Sequence, residues 1–265
     1  MQADPFLFVW KNTLFLFFEE KLLYSNGVLR MISTTDLKHW TSPVTVLQEP
    51  FHLSFPNVFV YDDTVYMIPE TGAAKEVRLY KAVDETLKQF SYVTTLLKHN
   101  VSTVTDFSDS NIILKDGLFY LLTTVNYIGT NELELYTATS LFGPYTKHPC
   151  SPVCNSNKYG RNAGSVDLRD SNLYRVAQDC SSGYGENVHI LEITILTPDS
   201  YREQLVSEDV LDRNNDSFYK EGGHQYNYVV YQGKRIEATD SKSNRSLIIQ
   251  RVFTKFFRLV YGGRL

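Results

Sequence analysis

Five times along the chain an extended apolar stretch, a short polar turn and a second apolar stretch follow one another, and this recurrence limits the possible folds more than any single motif. The five segments are PFLFVWKNTLFLFFEE, NVFVYDDTVYMIPET, NIILKDGLFYLLTT, SVDLRDSNLYRVAQDC and YNYVVYQGKRIEATD. Each sets β-branched and aromatic residues on either side of turn-forming Asn, Asp, Ser or Gly, which is the pattern of a β-hairpin. With Asn12, Asp63, Asp116, Ser171 and Gly233 as turn anchors, the spacings are 51, 53, 55 and 62 residues, the size of a propeller blade. Third strands such as VLRMIST, VRLYKA, LELYTAT and VHILEIT follow most hairpins, and DLKHW and SLFGPY lead toward an outermost fourth strand. The sequence therefore predicts an all-β fold, a single five-bladed β-propeller over residues 1–265. A β-sandwich has similar strand content but does not usually repeat at ~50 residues. Helical periodicity is confined to Ala82–Gln89 and Ser246–Val260, and the second stretch reads equally well as strands closing the last blade.

Hydrophobic residues form 43% of the chain and charged residues 21%, enough for a sizeable core. The formal net charge of −4 argues against the strongly basic face of a nucleic-acid binder, so no nucleic-acid partner is expected. No apolar run approaches the roughly 20 residues that span a bilayer, and no charged segment followed by an apolar one opens the chain. The expectation is no membrane span and a cytoplasmic location. Cys150, Cys154 and Cys180 are too few and too oddly numbered for a disulfide framework and stand at no metal-ligand spacing with His, so they read as free thiols, with no metal site. Sequons at Asn100, Asn215 and Asn244 would matter only in a secretory compartment.

Inner strands of a propeller run beside the central axis, so one end of every hairpin converges there. Seven residues forward from the anchors stand Glu19, Glu70, Thr123, Gln178 and Asp240; seven or eight back stand Asp4, Pro56, Asp109, Gly164 and Gln225, with His224 one further. Both sets mark the end opposite the turns. The predicted axial ring thus holds Asp4, Glu19, Glu70, Asp109 and Asp240, with Asp179 beside Gln178. Acids crowded into one channel repel unless a ligand, a cation or shared protons offset them. Tyr184 in SSGYGEN and Tyr159 in KYGRN, on glycine-bearing loops, are candidate sugar platforms, and Glu19 and Gln178 candidate substrate ligands. Trp10 and Trp40 read as blade core.

The opening ADPF resembles the start of the five-bladed glycoside hydrolases of the arabinanase and xylosidase type, where the matching Asp is the general base of an inverting mechanism. More closely, ADPFLF, HLSFPNVF, PETG with VRLYKA, FSDSNI, DGLFYLLTT, GPYTKHP, GRNAGS and YRVAQDCSSGYG together resemble the propeller domain at the N-terminus of plant glucosamine inositolphosphorylceramide transferases. That family extends to bacterial and algal-virus proteins of sugar metabolism. The resemblance covers about residues 3–205, and beyond it only EGGHQYN matches. It implies Asp4 as base, Asp109 as second carboxylate and Glu70 as the acid of the PET segment, with Arg161, Gln178, Asp179 and His224 lining the same pocket. The hydrolases are expected to supply Asp, Asp and then a late Glu. Here the corresponding third-blade position is Thr123 and the fourth gives Gln178 and Asp179, so the acid role rests with Glu70 or Asp179.

Two chemistries suit such a ring. An inverting glycosidase needs an acid for the departing oxygen and a base for water, about 6.5–9.5 Å apart. A glycosyltransferase needs a base for the acceptor hydroxyl, while its nucleotide diphosphate leaves unprotonated if cations or donors hold the phosphates. Arg161, Arg175 and His224 are the candidate phosphate holders; a divalent cation is the alternative, although no DxD triplet occurs. The reading that follows is a glycosyltransferase with Asp4 as base, moving a sugar, by resemblance a pentose such as xylose, from a nucleotide-sugar co-substrate to a glycan acceptor. An inverting glycoside hydrolase and a non-catalytic carbohydrate-binding propeller are the alternatives.

Overall fold

The structure, a computed structural model, describes residues 1–99, 104–127, 129–242 and 258–261. All five expected hairpins form, and each closes through two residues of positive φ: Lys11 and Asn12, Asp62 and Asp63, Asp116 and Gly117, Asp170 and Ser171, Gln232 and Gly233. A type I′ turn requires this, because its backbone twist matches that of the flanking strands.

Asp116 is the first residue of its turn, whereas the other four anchors are the second. Referred to Gly117, the spacings become 51, 54, 54 and 62, and the axial positions all fall eight residues before the turn, at Asp4, Phe55, Asp109, Ala163 and Gln225. Phe55 and Ala163 therefore take the places expected for Pro56 and Gly164, and Thr124 that of Thr123.

Gln2–Trp10, Thr13–Glu20, Val28–Thr34 and Val44–Leu47 make blade 1; Ser54–Tyr61, Thr64–Glu70, Glu76–Ala82 and Phe90–Lys98 make blade 2. Blade 3 is Val104–Lys115, Leu118–Tyr127 and Thr130–Ala138, with Thr146–Lys147 and Cys154–Asn155 both on its third strand. In blade 4 the innermost position is divided between Arg161–Asn162 and Asp167–Arg169, followed by Asn172–Asp179, Asn187–Leu196 and Tyr201–Ser207. The fifth repeat forms a sheet of three strands, Tyr226–Tyr231, Lys234–Thr239 and Arg258–Tyr261. The propeller arrangement is as expected, but the count of five blades is not: four blades are complete, and the fifth repeat gives a three-stranded sheet among the described residues. Most of Ser246–Val260, with Asn100 and Asn244, lies outside those residues. Ala82–Gln89 leaves its strand through a turn rather than a helix, and the three cysteines are free.

Period-two alternation explains how one strand serves two interfaces. In Thr13–Glu20, Phe15 and Phe17 meet Phe55, Met67 and Tyr80 of blade 2, while Leu14, Leu16 and Phe18 meet Tyr231, Ile236 and Ala238 of the fifth sheet. Similar clusters fill the other three interfaces, and Trp10 and Trp40 pack at the edges of two of the five. Each fully buried Phe or Leu contributes roughly 1.5–3 kcal/mol.

Polar clasps join neighbouring blades near the axis. The Asn57 amide donates to Asn111 Oδ1 (2.9 Å) and the Ser110 carbonyl (3.0 Å), and Asn111 bridges to the Gly164 carbonyl and the Val166 amide. Asn227 donates to Ser165 (2.9 Å) and accepts from the Leu7 amide (2.7 Å), which closes the ring between its last and first blades. These buried amides satisfy backbone groups that the sheets leave over.

Candidate functional site

Three inner strands carry a bulge at the same place, where Asp4, Phe55 and Asp109 adopt φ of 53°, 47° and 52°. A bulge re-aims the side chain and backbone of its extra residue. Asp tolerates this region, whereas Phe in it costs roughly 1–2 kcal/mol. What the strain at Phe55 achieves is visible: its amide donates to Asp4 Oδ2 at 2.9 Å.

The other Asp4 oxygen, Oδ1, faces His224 Nε2 at 3.3 Å, and His224 Nδ1 lies 2.5 Å from Asp240 Oδ2. Asp240 is fully buried and also accepts from the amides of His224, Gln225 and Asp4. Asp240 thus orients the imidazole, with Nδ1 toward itself and Nε2 toward Asp4. Burial, together with Asp240 and Asp109, holds the Asp4 carboxyl above its ordinary range, against the opposing pull of His224 and the Phe55 amide.

Across the axis Asp109 Oδ2 accepts from Arg161 Nε at 2.7 Å, and Arg161 Nη2 lies 3.6 Å from Glu70. Burial disfavours the arginine charge, but Asp109, Tyr184 and Glu70 more than offset it. Burial raises the Glu70 carboxyl well above its usual value, reinforced by Asp109 and Asp4 and opposed by Arg161. Glu70 therefore favours its protonated form more than an ordinary carboxyl does, beside the Asp109–Arg161 ion pair. Tyr184 closes the group from the solvent side, half-exposed, its ring 5.1 Å from that of His224 and 5.1 Å from the Arg161 guanidinium. Lys242 holds the Tyr184 carbonyl. Gly222 lets this loop close on the fifth sheet, since a Cβ there would sit 2.2 Å from the Gly185 carbonyl.

Asp4, Glu70, Asp109, Arg161, Tyr184 and His224 are thus brought together, and Asp240, counted in the ring but given no role by the sequence, anchors His224. Gln178 is buried beside Gly185, its amide nitrogen unpartnered, as is that of Gln225. The remaining candidates lie elsewhere. Asp179 accepts twice from Ser181 and faces His189 Nε2 at 3.3 Å, and these contacts keep its carboxyl low despite burial, so it is no proton donor. Tyr159 packs on His189 and donates to Glu208, and Glu19 lies 3.6 Å from His52. Arg175 is fully buried, paired in bidentate fashion with Glu203 and bonded to the Tyr159 carbonyl; it is a structural ion pair rather than a phosphate holder. His189 in turn accepts from the Asp209 amide at Nδ1. Two acid–histidine groups have the composition of a metal site, Asp4–His224–Asp240 and Asp179–His189–Asp209; in the first both imidazole nitrogens face a carboxylate within 3.3 Å, whereas in the second Nε2 faces Asp179 at 3.3 Å and the Asp209 carboxylate lies 3.9 Å from Nδ1. A groove of about 610 Å³ at the hairpin-turn end, lined by Leu114, Leu168 and Leu173 among others, is remote from the carboxylates.

The raised Glu70 carboxyl carries a stability consequence. Its folded state binds the proton more tightly than the unfolded chain, so its contribution is full below about pH 4.3 and is lost as pH rises through the folded value. Glu70→Gln is expected to melt higher than wild type at pH 8, with the difference shrinking toward pH 4.5. A difference that does not grow with pH in paired thermal melts contradicts the raised carboxyl.

Fold and site define an acid-rich β-propeller of glycoside-hydrolase architecture. An α-L-arabinofuranosidase from Clostridium thermocellum superposes with a TM-score of 0.66 at 13% identity over 98% of this chain and 89% of that one. Another from Podospora anserina, in complex with cellotriose, reaches 0.67 at 10% identity over 97% and 88%. The chain belongs to the family described as Glucosamine inositolphosphorylceramide transferase 1, N-terminal, which matches residues 1–237. Its relatives include Glucosamine inositolphosphorylceramide transferase 1 of Oryza sativa subsp. japonica, 37% identical over 215 residues covering 77% of this chain and 28% of that protein. That of Arabidopsis thaliana is 34% identical over 209 residues covering 76% and 26%. The chain spans less than a third of the length of these relatives.

Proposed function

We propose that this chain transfers a glycosyl group to a hydroxyl acceptor, with Asp4 as the base that takes the acceptor proton and Glu70, its carboxyl held well above the ordinary range, as a hydrogen-bond donor to the sugar. The observation that carries this reading is that two carboxyls of one site have different partners: Asp4 faces an imidazole backed by Asp240, while Glu70 stands beside Asp109 and Arg161, and burial raises both, Glu70 well above its usual value. Carboxyls of one site that are held by different partners can take different parts in proton transfer. Asp109 orients Arg161, Tyr184 offers a stacking face to a sugar ring, and the unpartnered amide of Gln178 is left for a sugar hydroxyl.

The donor in this reading is a nucleotide sugar. Arg161 is engaged by two carboxylates, His224 by two more and Arg175 by Glu203, so its diphosphate would enter with a divalent cation of its own. From the names of the relatives, the acceptor is the inositol-phosphate headgroup of a ceramide lipid and the sugar a glucosamine, with a pentose as the alternative suggested by the arabinanase-type propellers. A cytoplasmic location is part of the same proposal. A second reading, glycoside hydrolysis, is favoured by the raised Glu70 carboxyl, since the same pair would act on water.

Thermal melts with UDP- and GDP-sugars, with and without Mn²⁺, test the donor: a ligand at a hundredfold excess over Kd stabilises by about 2.7 kcal/mol. Absence of any shift at millimolar nucleotide, together with release of sugar from 4-nitrophenyl glycosides, replaces transfer by hydrolysis.

A further inference from the structure

The connection between the second and third strands of each blade opens on the carboxylate end, opposite the hairpin turn. In blade 4 this connection carries Tyr184 over His224 and Arg161. In blade 1 the equivalent connection is Lys21–Gly27, and its tip is Leu22, Leu23 and Tyr24, exposed by 69%, 68% and 98%. Three consecutive large apolar side chains in water are costly, and exposed apolar clusters mark interaction sites.

The tip is built rather than loose. The Ser25 amide donates to the Leu22 carbonyl, and the Ser25 hydroxyl both accepts from the Leu22 amide and donates to the Leu22 carbonyl. This turn places Tyr24 at its third position with φ of 64°, where glycine or asparagine is the ordinary choice. A residue that pays in backbone strain to hold an aromatic ring outward points to a function for the ring. Main-chain bonds in both directions between Lys21 and Met1 tie the root of the loop to the strand that carries Asp4.

We infer that Leu22, Leu23 and Tyr24 form a prow that inserts into the interfacial layer of a phospholipid bilayer and seats the carboxylate face on it. This rests on the proposed lipid acceptor: a ceramide headgroup presented by a membrane can reach Asp4 only if this face meets the surface. A convex tip of two leucines and a tyrosine, with Lys21 at its root, suits a fluid interface with anionic headgroups, where aliphatic chains enter and tyrosine rings lie at headgroup level.

Vesicle flotation tests this. The wild-type chain is expected to float with vesicles of phosphatidylcholine containing phosphatidylinositol, and the L22S/L23S/Y24S variant to partition at least about tenfold more weakly. If the triple variant melts early, Tyr24→Asn, which suits the positive φ, gives the second readout, with a smaller loss of flotation at unchanged melting temperature. A wild type that stays unbound, or a folded variant that floats equally, overturns the inference. Nucleotide-sugar stabilisation measured on the same samples separates the two readings: flotation without it removes the transferase, and stabilisation without flotation removes only the prow.

Discussion

Asp4→Asn is expected to lower glycosyl transfer, or hydrolysis if water is the acceptor, by about 10²–10⁴-fold, the usual contribution of a positioned general base, while the fold is retained. Asparagine occupies the left-handed region as readily as aspartate, so the bulge at φ 53° survives. It can still accept from the Phe55 amide. The substitution also removes a negative charge that is buried beside Asp240 and Asp109, so the melting temperature should hold or rise. An amide cannot take the acceptor proton, and His224 loses the carboxylate that faces its Nε2. A variant within tenfold of wild-type turnover, measured with whichever donor stabilises the chain, removes Asp4 from the base role in both enzyme readings.

Glu203→Gln is expected to cost about 3–5 kcal/mol in urea unfolding, because it strands the charge of a fully buried Arg175. Arg175 donates to both Glu203 oxygens, at 2.7 and 2.9 Å, and Tyr201 donates to the same carboxylate. The damage should reach the site through a short chain. Arg175 also holds the Tyr159 carbonyl and touches Asn162, whose amide donates to the Asp109 carbonyl at 2.7 Å. Replacing both partners by apolar residues, Arg175→Met with Glu203→Leu, should recover much of the loss, since a buried pair is often no better than well-packed hydrophobes. A loss under about 1 kcal/mol for the single variant shows the pair to be reached by solvent.

The hairpins were legible because their information is local: alternation and turn chemistry act within about sixteen residues, and all five turns form where Asn, Asp, Ser and Gly stand. The same locality produced the one-residue slip of the turn anchor in blade 3. Asp116 and Gly117 both suit a turn, and only strand pairing shows that Lys115 opposes Leu118. Asp4, Glu70, Asp109 and Asp240 could be placed on one ring because repeat position is also a spatial coordinate in a propeller.

Partners could not be read this way. Asp179 follows Gln178 directly and yet faces His189, since successive side chains leave opposite faces of a strand. Arg175 looked as suitable for phosphate as Arg161; Glu203, on the second strand along, decides otherwise. His224 and Asp4 are 220 residues apart in sequence and 3.3 Å apart in space. Repeat and composition were sufficient for strand order, the blade period and the acidic character of the axial end, because these follow from nearest-neighbour preferences summed along the chain. Ring closure between the first strand and the fifth sheet decided which acids burial and neighbours raise, as with Asp4 and Glu70, and which, like Asp179, are held low by their own hydrogen bonds. A carboxylate's charge state depends on its burial and on what stands within a few ångströms of it, and both are set only when distant blades meet.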